Sequence, residues 1–229
     1  MFKRVIITSG PTIEPIDPVR YISNRSSGRS GLYLAQEAVK RGIAEIIFIT
    51  GPTCFSPKGV TIIPVETALE MRSQLQRFSN DADVIIMSAA VSDYRVVKYS
   101  FKKIKKNQDT LMLQLVKNPD LLFELGQRKK SHQVLVGYAA ETHNIFQHAK
   151  EKFEKKNLDL LVLNEVSSKN PAFNSEKNQV YLFTSAGMRK LDKMEKSALA
   201  ARIWDEVFRI KKVKVEVKEE KSEGEKGRS

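Results

Sequence analysis

Short apolar runs alternate along this chain with longer stretches in which apolar residues recur at helical spacing. Val5, Ile6 and Ile7 read as a buried strand ended by Gly10-Pro11. After Gly31, LYLAQEAVKRG has the apolar spacing of an amphipathic helix that Gly42 stops. Residues 46–50 and 60–64 are two further strands, the first closed by Gly51-Pro52. A helix opens at Thr67 and lasts to about Phe78, with Glu66 near its positive end. Residues 84–87 form a fourth strand, and Ser88, Ala89 and Ala90 follow it. A lysine-rich segment at 98–106 then precedes the alternating strand LMLQLV. In Asn118-Pro119-Asp120 the Asn is expected to cap a helix, the Pro to occupy its first turn and the Asp to complement its dipole. Residues 134–137 read as a strand, 141–156 as a helix and 158–163 as a strand. The last helix is expected near 194–210, with Asp192-x-x-Glu195 as a possible capping box.

This alternation predicts an α/β fold, Rossmann-like, with a mostly parallel sheet and helices on both faces. Residues 98–116 and 179–190 break the rhythm and are expected to form a flap or an edge hairpin. With no internal repeat, residues 1–210 read as one domain. Residues 211–229 alternate charges without a core-forming pattern and read as a disordered tail.

In sheets of this kind ligands bind beyond the carboxyl ends of the strands. The first strand is followed by a long polar loop carrying Arg20, Asn24, Arg25, Ser26, Ser27, Gly28 and Arg29. Cations, hydroxyls and bare backbone at a helix N-terminus suit a phosphate-bearing ligand, whereas a merely solvated loop is the bland alternative. Loops of this length in compact domains are usually functional or disordered, and regular elements flank this one. GxGxxG is absent, which disfavours ordinary NAD binding. The other strand ends bring Ser88, Ala89, Ala90 and Asp93, then Tyr138, Ala139 and Ala140, then Asn164 to the same rim. Tiny side chains there let a flat ring reach the backbone, or simply permit close packing. Asp93 suits ribose hydroxyls, a hydrated cation or the cap of a turn.

The 229 residues, 41% hydrophobic and 29% charged, can form a sizeable core. No apolar run approaches a membrane span and no signal-peptide pattern opens the chain, so a cytoplasmic protein is expected. Cys54, the single cysteine, excludes an internal disulfide and any multi-cysteine metal site. His132, His143 and His148 lack metal-ligand spacing, and no metal-ligating residue is assigned. The net charge of +12 raises the question of nucleic acid, but the basic residues are dispersed. In KKIKK, residues 102–106, few aromatics are interleaved to stack bases. A lysine flap closing on a triphosphate explains the same residues, as does a solvated charge run. Lys152 and Lys156 share one helix face beside Lys155, a repulsion that an anionic partner would offset.

Together GPTIEPIDPVRYISNRSSG, AAVSDYR, KIKK, VKNPDLL, GYAAET and AKEKFEKKNLDLLVLNEVS resemble, in family order, the phosphopantothenoylcysteine synthetase family of coenzyme A biosynthesis. The resemblance covers about residues 4–210. It implies a ligase that joins 4′-phosphopantothenate to L-cysteine in two steps, through an acyl-cytidylate made from CTP with Mg²⁺ and without flavin. By motif match Lys103 would be the flap lysine of the first step, Asn24 would hold the activated acyl group, Arg20 would assist the cysteine step, and Ala90 would keep the site open. Ser88, Ala89, Asp93, Pro119, Asp120, Leu121, Leu122, Tyr138, Lys152 and Lys156 would contact CTP. The resemblance further implies a homodimer with sites near the subunit interface. It also implies a stand-alone synthetase, the flavin-dependent decarboxylase being a separate protein. Departures are modest: Tyr138 stands where many relatives have Phe, the segment after KIKK is short, and the tail has no counterpart.

Two rival readings remain. An NAD(P)-linked oxidoreductase needs a Gly-rich first turn and an acid closing the second strand, which here ends in Thr50-Gly51-Pro52. A nucleic-acid module would bind a duplex with a steep salt slope and release no pyrophosphate from CTP.

Overall fold

The computed structural model describes residues 2–106, 109–141, 144–165 and 175–226, with side chains as far as Glu216. Thr142, His143, Val166 and Ser167, which belong to the quoted motifs or histidines, lie outside the described residues. The chain opens with β1 (Arg4–Ser9), a hairpin of β2 (Ile13–Pro15) and β3 (Tyr21–Ser23), then α1 (Arg29–Lys40). There follow β4 (Glu45–Thr50), β5 (Thr61–Pro64), α2 (Ala68–Phe78) and β6 (Val84–Met87). A ribbon of β7 (Tyr94–Val96) and β8 (Leu115–Lys117) precedes α3 (Leu121–Arg128), β9 (Val134–Glu141), α4 (Ile145–Lys155) and β10 (Leu160–Glu165). The last elements are β11 (Lys177–Asn178), β12 (Val180–Thr184), β13 (Gly187–Lys190), β14 (Met194–Glu195) and α5 (Lys196–Lys226).

The main sheet has eight strands in the order β13-β12-β10-β9-β6-β1-β4-β5. From β10 across to β5 every pairing is parallel, and β12 and β13 add an antiparallel hairpin at one edge. Strict alternation along β1 explains the two layers. Val5 and Ile7 face one core with Leu34 of α1 and Trp204 of α5, while Ile6 faces the other with Met71, Leu125 and Ala149 of α2, α3 and α4. The indole of Trp204 is fully buried and donates to the Leu34 carbonyl at 2.9 Å, which ties α5 to α1. The Rossmann-like α/β reading therefore holds. Among the described residues no helix is long and apolar enough to cross a membrane.

Three local readings change. LMLQLV is a strand only in its last part, because residues 111–114 find no partner strand. The helix read from Glu141 starts at Ile145, since β9 continues to Glu141 beside β10. The final helix starts at Lys196, after Glu195 has paired with Lys177 in a small ladder. That helix also runs on through Lys226, where a disordered tail is expected from composition. Its first extra turns are anchored: Lys211 Nζ reaches Asp83 at 3.2 Å and Lys214 Nζ reaches Asp159 at 2.6 Å. Both acids sit just before strands, at the amino ends opposite the strand ends that carry the polar rim, so the charge pattern serves docking there.

Gly126 lets α3 lie directly on the end of α4. A Cβ at this position would stand 2.0 Å from the Lys156 carbonyl oxygen, a backbone atom that cannot swing aside. Gly126→Ala is expected to cost about 1–3 kcal/mol, read as a lower midpoint in urea with an unchanged slope.

Candidate active site: a two-lobed cleft at the strand ends

β1 and β6 are neighbours, but the chain leaves β1 towards β4 and β5 and leaves β6 towards β9 and β10. Their carboxyl ends therefore open a crevice at the reversal of strand order. Two cavities meet there, sharing a wall of Ala89, Ala90, Tyr138, Ala139 and Ala140. The smaller, about 150 Å³, is closed by residues 26–31, Ser88, Asn164, Asn178 and Lys196. The larger, about 750 Å³, is bounded by Asn24, Asp93, residues 117–122, Lys152 and Lys156.

The small lobe is built around the start of α1. Gly28 caps that helix with φ of 79° and no side-chain cap, and no acid occupies the first turn. Among the described residues its first N–H groups lack a side-chain partner. Ser9 Oγ donates to the Gly28 carbonyl at 3.0 Å and Thr53 Oγ1 to the Ser27 carbonyl at 2.9 Å, fixing the turn. Arg29 donates to Glu176 at 3.1 Å, and its guanidinium lies over the Phe55 ring. Asn178 donates to the Asn164 side chain, which itself donates to the Ala139 carbonyl at 3.3 Å. Burial pushes the Tyr138 phenol well above its ordinary range, so it stays protonated.

In the large lobe the Ala90–Asp93 turn is held from beneath. Thr12 donates its N–H to the Ala90 carbonyl at 3.2 Å and accepts from the Ser92 N–H at 2.9 Å. The Asn24 amide donates to the carbonyls of Ala90 and Val91, at 3.1 and 3.2 Å. Asn118, expected to cap α3, donates instead to the Ser92 carbonyl at 2.8 Å and accepts from Arg95 at 3.0 Å. Asp120 is the cap, accepting the Phe123 N–H at 3.1 Å. The competing demand of the Ser92 carbonyl explains the shift of the cap by two residues. Asp120 also pairs with Lys156 at 2.9 Å, and Glu141 pairs with Lys152 at 3.0 Å.

Buried Glu14 was not legible as part of this network. Burial raises its pKa, opposed by the Ala68 N–H and by the side chains of Thr12 and Asn118. Asn178 and Lys196 also escaped sequence reading.

Asn24, Ala89, Ala90, Asp93, Pro119, Asp120, Leu121, Leu122, Tyr138, Lys152 and Lys156 therefore line one lobe, and Ser88 the other. Arg20 and Lys103 line neither. Arg20 is clamped by Asp17 at 2.6 Å and donates to the Ile104 carbonyl at 2.6 Å, while the Ile104 N–H donates to Asp17 at 3.1 Å. Burial alone would raise the Asp17 pKa, but Arg20 and the N–H groups of Ile104, Val19 and Arg20 outweigh it and hold this carboxyl well below the usual range. Asp17 thus pins Ile104, in the middle of KKIKK, to the β2–β3 turn.

Residues 1–210 match the family described as DNA/pantothenate metabolism flavoprotein C-terminal domain. The chain belongs to this family. Similar members include the coenzyme A biosynthesis bifunctional protein CoaBC of Borreliella burgdorferi, 43% identical over 204 residues, covering 88% of this chain and 51% of the relative. The CoaBC of Haemophilus influenzae is likewise 43% identical, over 89% of this chain and 51% of its own length. The chain thus spans about half the length of the curated relatives it matches. The crystal structure of a CoaBC C-terminal domain superposes with a TM-score of 0.76 at 32% identity, covering 95% of this chain and 96% of that one. A Cab2 mutant solved in complex with phosphopantothenate-cysteine shares the fold, with a TM-score of 0.78 at 20% identity over 95% of this chain and 89% of that one. In this family domain the two-lobed cleft lies where the doubly wound sheet leads one to look.

Proposed function

We propose that this chain is a CTP-dependent phosphopantothenate–cysteine ligase. The observation that carries the reading is the single cleft with two unequal cationic lobes joined at a wall of small residues. The small lobe takes the phosphate end of phosphopantothenate on the α1 N-terminus, and the large lobe takes the nucleotide. The pantothenate carboxylate then lies at the junction, beside Asn24 and Ala90. It attacks the α-phosphate of CTP, forming the acyl–phosphate bond as pyrophosphate leaves. The cysteine amine next attacks the acyl carbon, CMP departs, and the amine proton is released. No electron is transferred, so the reaction needs no flavin.

Two anions must meet in the first step, and the cations serve that end. Lys152 and Lys156 line the nucleotide lobe and exchange Glu141 and Asp120 for phosphate oxygens. Asp93 stands where ribose hydroxyls fit, while Pro119, Asp120, Leu121 and Leu122 border the nucleotide and Ser88, Ala89 and Tyr138 shape the junction. Among the described residues no group of three or more His, Cys, Asp or Glu could hold a metal. Mg²⁺ would therefore be held chiefly by the triphosphate, whose charge it would neutralise.

A homodimer completes the site. Phe101 and Met112 are 87% and 94% exposed, and Val19, Tyr21, Tyr94 and Leu115 add to an apolar face on the β2–β3 hairpin and the β7–β8 ribbon. A face of this kind calls for a partner, and a second copy fits it. Arg20 lies on this hairpin and reaches the cleft of the second copy, while Lys103 reaches the triphosphate as its flap closes. A separate flavin-dependent decarboxylase is the partner that would consume the product.

The test is pyrophosphate release from the purified protein with phosphopantothenate and each of the four nucleoside triphosphates, with cysteine added afterwards. CTP is expected to give release without cysteine, and CMP to appear on adding it. Absence of release with every nucleotide sinks the reading.

A further inference from the structure

The small lobe contains a cation that the motifs do not assign. Lys196 is only 4% exposed, is the first residue of α5 and lines the 150 Å³ cavity. Among the described residues no carboxylate pairs with it within ion-pair distance. Its charged neighbour is Arg29, of like sign, and burial together with that repulsion lowers its pKa. The α1 N-terminus, uncapped by any side chain and without an acid in its first turn, opens into the same space. Arg29 itself is engaged by Glu176 and Phe55. A lysine only 4% exposed, beside an arginine, at the positive end of its own helix and facing that of another, is costly in the empty protein. An anion in the lobe would offset all three terms at once.

We infer that Lys196 is the specificity-determining residue of the small lobe, the cation that selects a phosphomonoester substrate over its unphosphorylated counterpart. The volume admits a phosphate group and not a nucleotide. The fixed Asn164–Asn178 pair and the α1 backbone set its position, and Lys196 supplies the charge. A dianion gains most from a desolvated ammonium, whereas a terminal hydroxyl would leave that ammonium buried and unpaired.

The inference rests on the ligase reading, and the test separates the two. Pyrophosphate release is measured for the full chain and for Lys196→Met with phosphopantothenate and with pantothenate. In Lys196→Met, kcat/KM for phosphopantothenate is expected to fall by about 100-fold while KM for CTP stays within about twofold. Turnover of pantothenate should not fall, so the preference for the phosphorylated substrate collapses. Lys196→Arg, which keeps the charge, is expected to recover part of it. The melting temperature of Lys196→Met should hold or rise, because an unpaired buried charge is gone. Should that variant not fold, Lys196→Gln takes its place in the same comparison. Undiminished preference for the phosphorylated substrate in a folded variant overturns the inference while leaving the ligase reading intact. If the unaltered chain releases no pyrophosphate, the ligase reading fails, and calorimetry with phosphopantothenate as the probe decides Lys196. Equal binding by chain and variant then overturns its role, and binding lost only in the variant supports it.

Discussion

Lys103→Gln is expected to reduce pyrophosphate release by about 10²–10³-fold, the scale seen when one preorganised charge or donor at a developing anion is removed. The proposed first half-reaction would drive a carboxylate onto a polyphosphate, against the repulsion between two anions. Lys152 and Lys156 already line the lobe, each held by an acid, and in the proposed mechanism they would address the ground-state nucleotide. Lys103 stands exposed beside Ile104, which is held by Asp17 and Arg20, and in the proposed first step it would deliver its charge as the flap closes. Three readouts should separate this role from a general defect. Melting temperature should be unchanged, because the residue is exposed and makes no ion pair among those described. Phosphopantothenate binding should be unchanged too. Supplied acyl-cytidylate should still be converted with cysteine at the unaltered rate. Normal pyrophosphate release would remove Lys103 from the first step.

The second large effect concerns assembly. Arg20→Ala and Asn24→Asp homodimers are each expected to lose most overall turnover, for different reasons. Asn24 fastens its amide to the Ala90 and Val91 carbonyls, and an aspartate there would place negative charge against two carbonyl oxygens and the incoming carboxylate. Arg20 does not line the cleft of its own chain, and in the homodimer proposed above it would serve the cleft of the second copy. Mixed and refolded together, the two inactive proteins should regain about a quarter of the unaltered turnover, since random pairing makes half the dimers mixed and each mixed dimer holds one intact site. No recovery in mixtures shown by native mass spectrometry to contain mixed dimers would place both residues on one chain's site and discard the shared cleft.

Much of this architecture follows from local pattern. Apolar runs such as residues 5–7 and 46–50 can be satisfied only in a strand buried on both faces, and helical spacing in LYLAQEAVKRG leaves one side for the core. Their alternation dictates parallel strands, and parallel strands dictate where a ligand sits. The polar residues at those strand ends were accordingly legible, and Asn24, Asp93 and Lys152 do meet in one lobe. Motif resemblance then attached chemistry that neither periodicity nor charge could supply.

What the tertiary structure alone decided are the matters that depend on distant partners. The cap of α3 moved from Asn118 to Asp120 because a carbonyl 26 residues earlier, that of Ser92, claims the Asn118 amide. The charged tail extends a helix at least in part because Asp83 and Asp159, far away in sequence, receive its lysines. Lys196 became a candidate only when packing buried it beside Arg29, an event no window of sequence contains. The chain by itself determined which segments are strands or helices and which rim is polar, since those follow from neighbours within a few positions. Which polar groups satisfy one another, and which are left facing the cleft, is fixed by contacts between residues tens of positions apart, where loop closure and burial rather than local preference set the outcome.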